Sequence, residues 1–341
     1  MKRHRILRHK KKYHLLLILV SLFVIFAESC RKSNDYIRIE GGVWNTLWHV
    51  TYRGPQSLAD SIPATLASVG GSLNVFDSTS IVSRVNRDEK VELDSHFVRV
   101  LEFSKIINRE TDGAFDPTLG PLIRAWGFGP GHNVSPDTAR VDSLLRLVGI
   151  GKTGVSGKYL SKTDSRIEFN FSAIAKGYGC DMIAAMFERN GVEDYLIEIG
   201  GEIRCGGKSP KGGEWRISVD KPEWSMTSAN HESQEIISIT NCGVATSGNY
   251  RNFIKDSGRT FGHTISATSG RPVATDVISA TVVAPTAMEA DGYATAFMAM
   301  GSETGLATAR RLNLPIMLIL SDSTVVTTPP FDKLTSHREQ Y

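Results

Sequence analysis

The chain has 341 residues, with 39 Lys and Arg against 36 Asp and Glu, and 41% of its residues are hydrophobic. That composition belongs to a folded globular chain and excludes disordered or collagen-like architectures. The positive charge sits at the start: the first 29 residues hold seven bases and one acid, Glu28, leaving 32 bases against 35 acids, so no nucleic-acid partner is expected.

Lys2, Arg3, Arg5, Arg8, Lys10, Lys11 and Lys12 precede an apolar run from Leu15 to Ala27, 13 residues broken only by Ser21. A membrane-spanning helix needs about 20 apolar residues, so the run fits the core of a secretory signal. Ala27-Glu28-Ser29-Cys30 follows and is similar to a lipobox, with Glu28 departing from the usual small residue. Residues 1–29 are therefore read as a lipoprotein-type signal, Cys30 as the acylated mature N-terminus and 30–40 as a tether. Ordinary secretion or a short uncleaved anchor fits the same stretch. The expected location is exported, held by lipid at Cys30 on the periplasmic side of a bacterial inner membrane. Cys180, Cys205 and Cys242 then remain, without a CxxC pair. At most one disulfide is available to them, and small buried residues are expected.

Further along, apolar spacing predicts helices over Leu58–Phe76 and Phe97–Thr111, and Ser135-Pro136 opens a short helix through Leu147. A strand over Ile167–Phe171 is expected to run into a helix from Ala173 to Asn190, ended by Gly191. Tyr195–Ile199, Trp215–Val219, Glu235–Ile239, Val277–Val283 and Ile316–Leu320 read as strands, with helices over Ala287–Met300 and Glu303–Leu312. Strands seldom alternate strictly with helices, so the fold class is α+β rather than a doubly wound sheet. Residues 41–328 form the domain, and 329–341 read as a loosely held polar tail.

Walker A, HExxH and GxSxG motifs are absent, and Gly127-Phe128-Gly129-Pro130-Gly131 is a turn rather than a dinucleotide loop. Four glycine- and hydroxyl-rich segments stand out instead. Thr111 to Thr118 contains Asp112-Gly113-Ala114-Phe115-Asp116, followed by Trp126-Gly127-Phe128-Gly129; its aromatics suit either a flat ligand ring or the core. Asn170 to Asp181 turns into a helix whose free N–H groups and Lys176 could meet a phosphate, though a capped helix with a surface lysine reads the same. Thr246-Ser247-Gly248-Asn249-Tyr250-Arg251 and Gly262-His263-Thr264-Ile265 place one histidine beside a hydroxyl-rich turn. In Ala290-Asp291-Gly292-Tyr293-Ala294-Thr295, Asp291 and Thr295 are four apart and share a helix face, offering oxygen ligands of the kind Mg²⁺ prefers.

In this order the segments resemble the ApbE family of flavin transferases, from about Gly41 to about Met317. The resemblance also takes in Thr46 with Trp48, Ser80-Ile81-Val82-Ser83-Arg84-Val85-Asn86, Ala175-Lys176-Gly177-Tyr178, Glu198-Ile199-Gly200-Gly201-Glu202 and Ala245-Thr246-Ser247-Gly248. It implies T-fold-related mixed sheets with packed helices and an FAD cleft between two lobes. It implies FAD contacts from Trp44, Phe76, Ala114, Phe115, Asp116, Asn170, Lys176 and Ile265. Mg²⁺ would be held by the Asp291 and Thr295 side chains and the Ala173 carbonyl. The implied reaction moves FMN from FAD to a threonine hydroxyl of an acceptor protein, releasing AMP, with His263 as candidate base. The expected acceptor is a membrane-associated redox protein carrying an Asp-Gly-x-Thr-Gly-Ala-Thr-like sequence. This chain departs from the family at Trp44-Asn45, at Asn170, where an Asp is usual, and after His263. A Mg²⁺-dependent FAD pyrophosphatase and a non-catalytic, lipid-tethered FAD-binding protein remain as alternatives.

Overall fold

The computed structural model of the chain describes residues 36–128, 138–222, 233–249, 253–256 and 259–335. The leader with Cys30, Gly129 to Gly131, Ser135 with Pro136, Tyr250 with Arg251, and residues 336–341 lie outside them. The described strands are β1 (Ile37–Val43), β2 (Thr46–Tyr52), β3 (Thr153–Ser156), β4 (Tyr159–Lys162), β5 (Tyr195–Ile199), β6 (Glu202–Gly206), β7 (Trp215–Asp220), β8 (Ser233–Ile239), β9 (Cys242–Gly248), β10 (Phe253–Asp256), β11 (Arg259–Gly262), β12 (Val277–Ala284), β13 (Ile316–Leu320) and β14 (Val325–Thr327). The helices are α1 (Ser61–Leu73), α2 (Ile81–Asn86), α3 (Ser95–Glu110), α4 (Gly120–Ala125), α5 (Val141–Leu145), α6 (Ala175–Arg189), α7 (Ala287–Met300), α8 (Ser302–Arg311) and α9 (Pro329–Asp332). The α+β expectation holds.

Eight strands form one sheet in the order β1-β2-β5-β6-β9-β12-β13-β14, and β3–β4, β7–β8 and β10–β11 form separate hairpins. The two apolar strands β12 and β13 explain how the layers stack. Ala280, Val282, Ala284, Ile316 and Leu318 face a core shared with α3, α6 and α7. Val283, Met317 and Ile319 point the other way, into a core shared with the β7–β8 hairpin. A strand covered on both faces has no polar side to show, which is why VISATVVA and IMLIL read as continuous apolar runs. Each fully buried Leu, Ile or Phe in these layers contributes about 1.5–3 kcal/mol relative to exposure.

Several boundaries differ from the sequence expectations. Ile167–Phe171 is not a strand, although Ile167, Phe169 and Phe171 all point inward. Its backbone makes an isolated bridge to Leu119 and a bond from Asn170 N–H to the Pro117 carbonyl on one side, and a side chain serves the other: Phe169 N–H donates to Asn86 Oδ1 at 2.7 Å, and Asn86 Nδ2 donates to the Phe169 carbonyl at 2.8 Å. The Asn86 amide does the pairing of a neighbouring strand, while Phe97 stacks edge-on against Phe169 and Phe171 at 5.9 and 5.3 Å. Thr246-Ser247-Gly248, read as part of a turn, lies within β9. Residues 329–335 are not a loose tail: Phe331 is fully buried, the Thr328 hydroxyl accepts the Ile316 N–H at 3.0 Å, and Thr335 bridges to Ile237. At the other end, β1 begins inside the stretch read as a tether. The helix expected from Ser135 to Leu147 is a 3₁₀ turn at Thr138–Arg140 followed by α5. Gly191, at φ +73°, ends α6 as expected, with Val192 N–H reaching the Phe187 carbonyl. Among the described residues no helix is long and apolar enough to cross a membrane.

Candidate active site

The site is built where α6 crosses α7. A Cβ on Gly177 would lie 2.2 Å from the Ala287 carbonyl oxygen, so only glycine lets the two backbones touch there. That approach lets Gly177 N–H donate to Asp291 Oδ2 at 3.0 Å. One turn later, Asp181 accepts the N–H groups of Ala287 and Met288, both at 2.9 Å. A carboxylate from α6 thus supplements the cap of α7, where Thr286 accepts the Glu289 N–H. Burial pushes the Asp181 carboxyl up to about 6, against the pull of those two donors and Arg204.

The β5–β6 hairpin brings a second carboxylate. Its two loop residues, Gly200 and Gly201, have φ of +59° and +102°, and Glu202 follows at the start of β6. Lys176 runs beside Gly200 and places Nζ 2.5 Å from Glu202 Oε2. Glu202 and Asp291 are each 3% exposed, so two buried carboxyls lie near one ammonium group, which is paired with Glu202. Burial raises the Asp291 carboxyl, with Lys176 and then the Gly177 N–H opposing. It raises Glu202 also, Lys176 opposing and Asp291 adding to the shift. Burial opposes the charge on Lys176, but the Glu202 and Asp291 carboxylates outweigh it and its affinity for the proton rises. Among the described residues, Asp291 Oδ2 accepts the Gly177 N–H and Oδ1 accepts no hydrogen bond.

Thr295 lies one turn beyond Asp291, its Oγ1 3.3 Å from Ser247 Oγ on β9. Ala173, partly buried, sits in the turn leading to α6. A carboxylate oxygen left unclaimed and a hydroxyl one turn away fit a hard divalent cation such as Mg²⁺. Among the described residues no group of three or more His, Cys, Asp and Glu is arranged to hold a metal. The set here uses a single carboxylate.

The remaining predicted residues divide between open and packed positions. Phe76, 51% exposed, and Asn170 line a 280 Å³ cavity with Asn86, Arg124 and Glu168. Four residues of chain separate Asn170 from Ala175, the first residue of α6. Trp44 occupies the first position of a two-residue turn between β1 and β2, with φ +48° at Trp44 and +61° at Asn45. That left-handed pair is the geometry of a tight hairpin, where Asn is at ease and Trp is not. The Trp44 ring packs inward; Cβ atoms on Gly70 and Gly179 would lie 2.6 and 2.9 Å from it. Phe115 is buried in the helix-side core, with Ala114 partly buried beside it. Asp116 is consumed by the fold: its carboxylate accepts Thr118 N–H at 2.8 Å, Thr118 Oγ1 at 2.6 Å and Ile150 N–H at 2.9 Å.

His263 follows β11, and its ring lies 6.4 Å from that of Phe128. Ile265 is buried with Leu122, Trp126 and Val148, and Trp126 Nε1 donates to the Gly270 carbonyl at 2.8 Å. The Trp126-Gly127-Phe128 segment and the His263 loop, 135 residues apart between Phe128 and His263, therefore share one wall. Thr264 donates to Asn249 Oδ1 at 2.9 Å, two residues along the chain from Ser247 and its contact to Thr295. Glu202 and Asp181 were not singled out from sequence as site residues. A Gly-Gly-Glu and a mid-helix Asp look solvent-facing until the partner helix and hairpin are placed.

The ApbE family model matches residues 44–318. The chain is 34% identical to the FAD:protein FMN transferase of Vibrio cholerae over 89% of this chain and 93% of that protein. It is 33% identical to the FAD:protein FMN transferase of Haemophilus influenzae over 91% and 95%. The structure of the flavin transferase ApbE from Vibrio cholerae superposes with a TM-score of 0.79 at 32% identity, covering 88% of this chain and 99% of that one. With a match running from the Trp44 hairpin turn through Asp291 to β13, the chain belongs to the ApbE family.

Proposed function

We propose that the chain is an FAD:protein FMN transferase that moves FMN from FAD to a threonine hydroxyl of an acceptor protein and releases AMP. The observation that carries the reading is the buried Asp291 carboxylate, with one oxygen unclaimed and the Thr295 hydroxyl one turn away. Asp291, Thr295 and the Ala173 carbonyl would hold Mg²⁺, which when bound neutralises pyrophosphate charge and makes the phosphorus electrophilic. Lys176 keeps its proton and adds fixed positive charge beside the same carboxylates. Phe76 and Asn170 offer an open surface for part of FAD. His263 takes the proton from the acceptor hydroxyl as its oxygen bonds to the FMN phosphorus and the bond to AMP breaks. The N-terminal leader supports export and lipid anchoring at Cys30, which would bring the enzyme to membrane-associated redox acceptors.

The test is incubation of the protein with FAD, Mg²⁺ and a peptide carrying the Asp-Gly-x-Thr-Gly-Ala-Thr-like sequence, followed by mass spectrometry and AMP assay. FMN on the threonine and an equal amount of AMP are expected. AMP without modified peptide would make the protein a pyrophosphatase, and neither product would leave only FAD binding. His263→Ala is expected to retain FAD binding while transfer falls by about 10²–10⁴-fold; unchanged transfer would remove His263 from the reaction.

A further inference from the structure

We propose that Cys205 and Cys242 form a reversible disulfide that fastens β6 to β9, a modification site separate from the flavin chemistry. The two strands are antiparallel neighbours, and Cys205 stands directly opposite Cys242 in register. Opposed residues put their side chains on the same face, with Cα atoms roughly 4.5–5.5 Å apart, inside the range of about 4.4–6.8 Å that a disulfide spans. Both belong to the layer between the sheet and the β7–β8 hairpin. The Cys205 thiol donates to the Cys242 carbonyl oxygen at 3.6 Å. Both are free thiols in this structure, Cys205 fully buried and Cys242 partly exposed. Cys180 is excluded from the pair: it packs in the α1/α6 layer and donates to the Glu202 carbonyl at 3.3 Å.

This asymmetry sets the order of events. Cys242 exchanges first with a low-molecular-weight disulfide RSSR, forming Cys242–S–S–R and releasing RSH. Cys205 then attacks the Cys242 sulfur and expels the second RSH. Two protein thiols are oxidised, one external disulfide is reduced to two thiols, and both protons leave on RSH. Cys205 stands directly opposite Cys242 in register, which places its sulfur for the second attack. Glu202 lies three residues from Cys205 on β6 and Ser247 five residues from Cys242 on β9, so the link ties together two strands that build the site without touching it.

The experiment treats the folded protein with oxidised glutathione, quenches with acid, alkylates the remaining thiols and maps peptides without reduction. The expected product is a Cys205–Cys242 linked pair, two hydrogens lighter than the separate peptides, with Cys180 alkylated only after unfolding. Cys205→Ser is expected to stop at a glutathione adduct on Cys242. The proposal is overturned if wild type also stops at that adduct, if both thiols remain free, or if another pairing dominates. None of these readouts involves FAD, so the result is independent of the flavin-transfer reading.

Discussion

Asp116 and Asp291 are both buried acids in glycine-containing segments, and they do opposite things. Asp116 sits where Thr118 and the turn before β3 supply three close donors, so its carboxylate is spent on joining two loops. Asp291 receives one backbone N–H, while Lys176 beside it pairs with Glu202. A carboxylate whose lone pairs are filled by the protein holds the fold; one left partly unfilled in a low-dielectric place has capacity for a ligand. Both look alike as letters.

The largest effect that would break this contrast is on the Asp291 side. Asp291→Ala should lower transfer by roughly 10²–10³-fold, the equivalent of several kcal/mol of lost charge stabilisation, and should abolish the response to Mg²⁺. Only the Gly177 N–H is stranded, so the loss of stability should be about 1–3 kcal/mol, smaller than for Asp116→Ala. Steady-state transfer with a Mg²⁺ titration checks both, and a large loss of stability would make Asp291 a second Asp116.

Asp116→Ala should show the reverse pattern. It strands the Thr118 and Ile150 donors, at about 1–3 kcal/mol each, so urea unfolding should show a loss of roughly 3 kcal/mol or more. Transfer per folded molecule should be nearly preserved; a selective loss of FAD affinity would instead return Asp116 to the flavin contacts.

The pH dependence of Asp181 sharpens the comparison at the α6–α7 crossing. Its carboxyl is raised from 3.8 to about 6 by burial, so the folded state holds the proton more tightly than the unfolded chain. The stability it contributes is present below pH 3.8 and is lost as pH rises through about 6. Relative to Asp181→Asn, wild type should therefore lose about 2.4 kcal/mol between pH 4 and 7 in urea melts. A constant difference across that range would show that the carboxyl titrates normally.

The smallest expected effect is that of Gly179→Ala, two residues from Gly177. The added methyl would lie 2.9 Å from the Trp44 ring and 3.2 Å from Ile199. Displacing that ring should cost about 1–3 kcal/mol in thermal unfolding. Trp44 fluorescence should shift with it, while the Asp116 network is untouched.

Much of this was legible in the chain itself. Ala287–Met300 and Tyr195–Ile199 have the expected bounds because their periodicities are local and their ends carry Thr286 and Gly200 as stop signals. The Asp291–Thr295 spacing fixes a shared helix face wherever the helix goes. Ile167–Phe171 misled because its alternation is real while its pairing is split between an isolated bridge to Leu119 and the Asn86 side chain, 83 residues away from Phe169. Phe331 was missed since one aromatic among polar residues has no periodicity, and only the β7–β8 layer gives it a place.

The amino-acid order by itself determined the α+β class, the family and the pairing of a carboxylate with a hydroxyl on one helical turn, since each depends on spacings within short segments. Only the tertiary structure decided which acids are spent and which are left open. Hydrogen-bond satisfaction and desolvation are set by what packs around a group, and for Asp291 those neighbours come from α6 and, through Glu202 and Lys176, from a hairpin some ninety residues away.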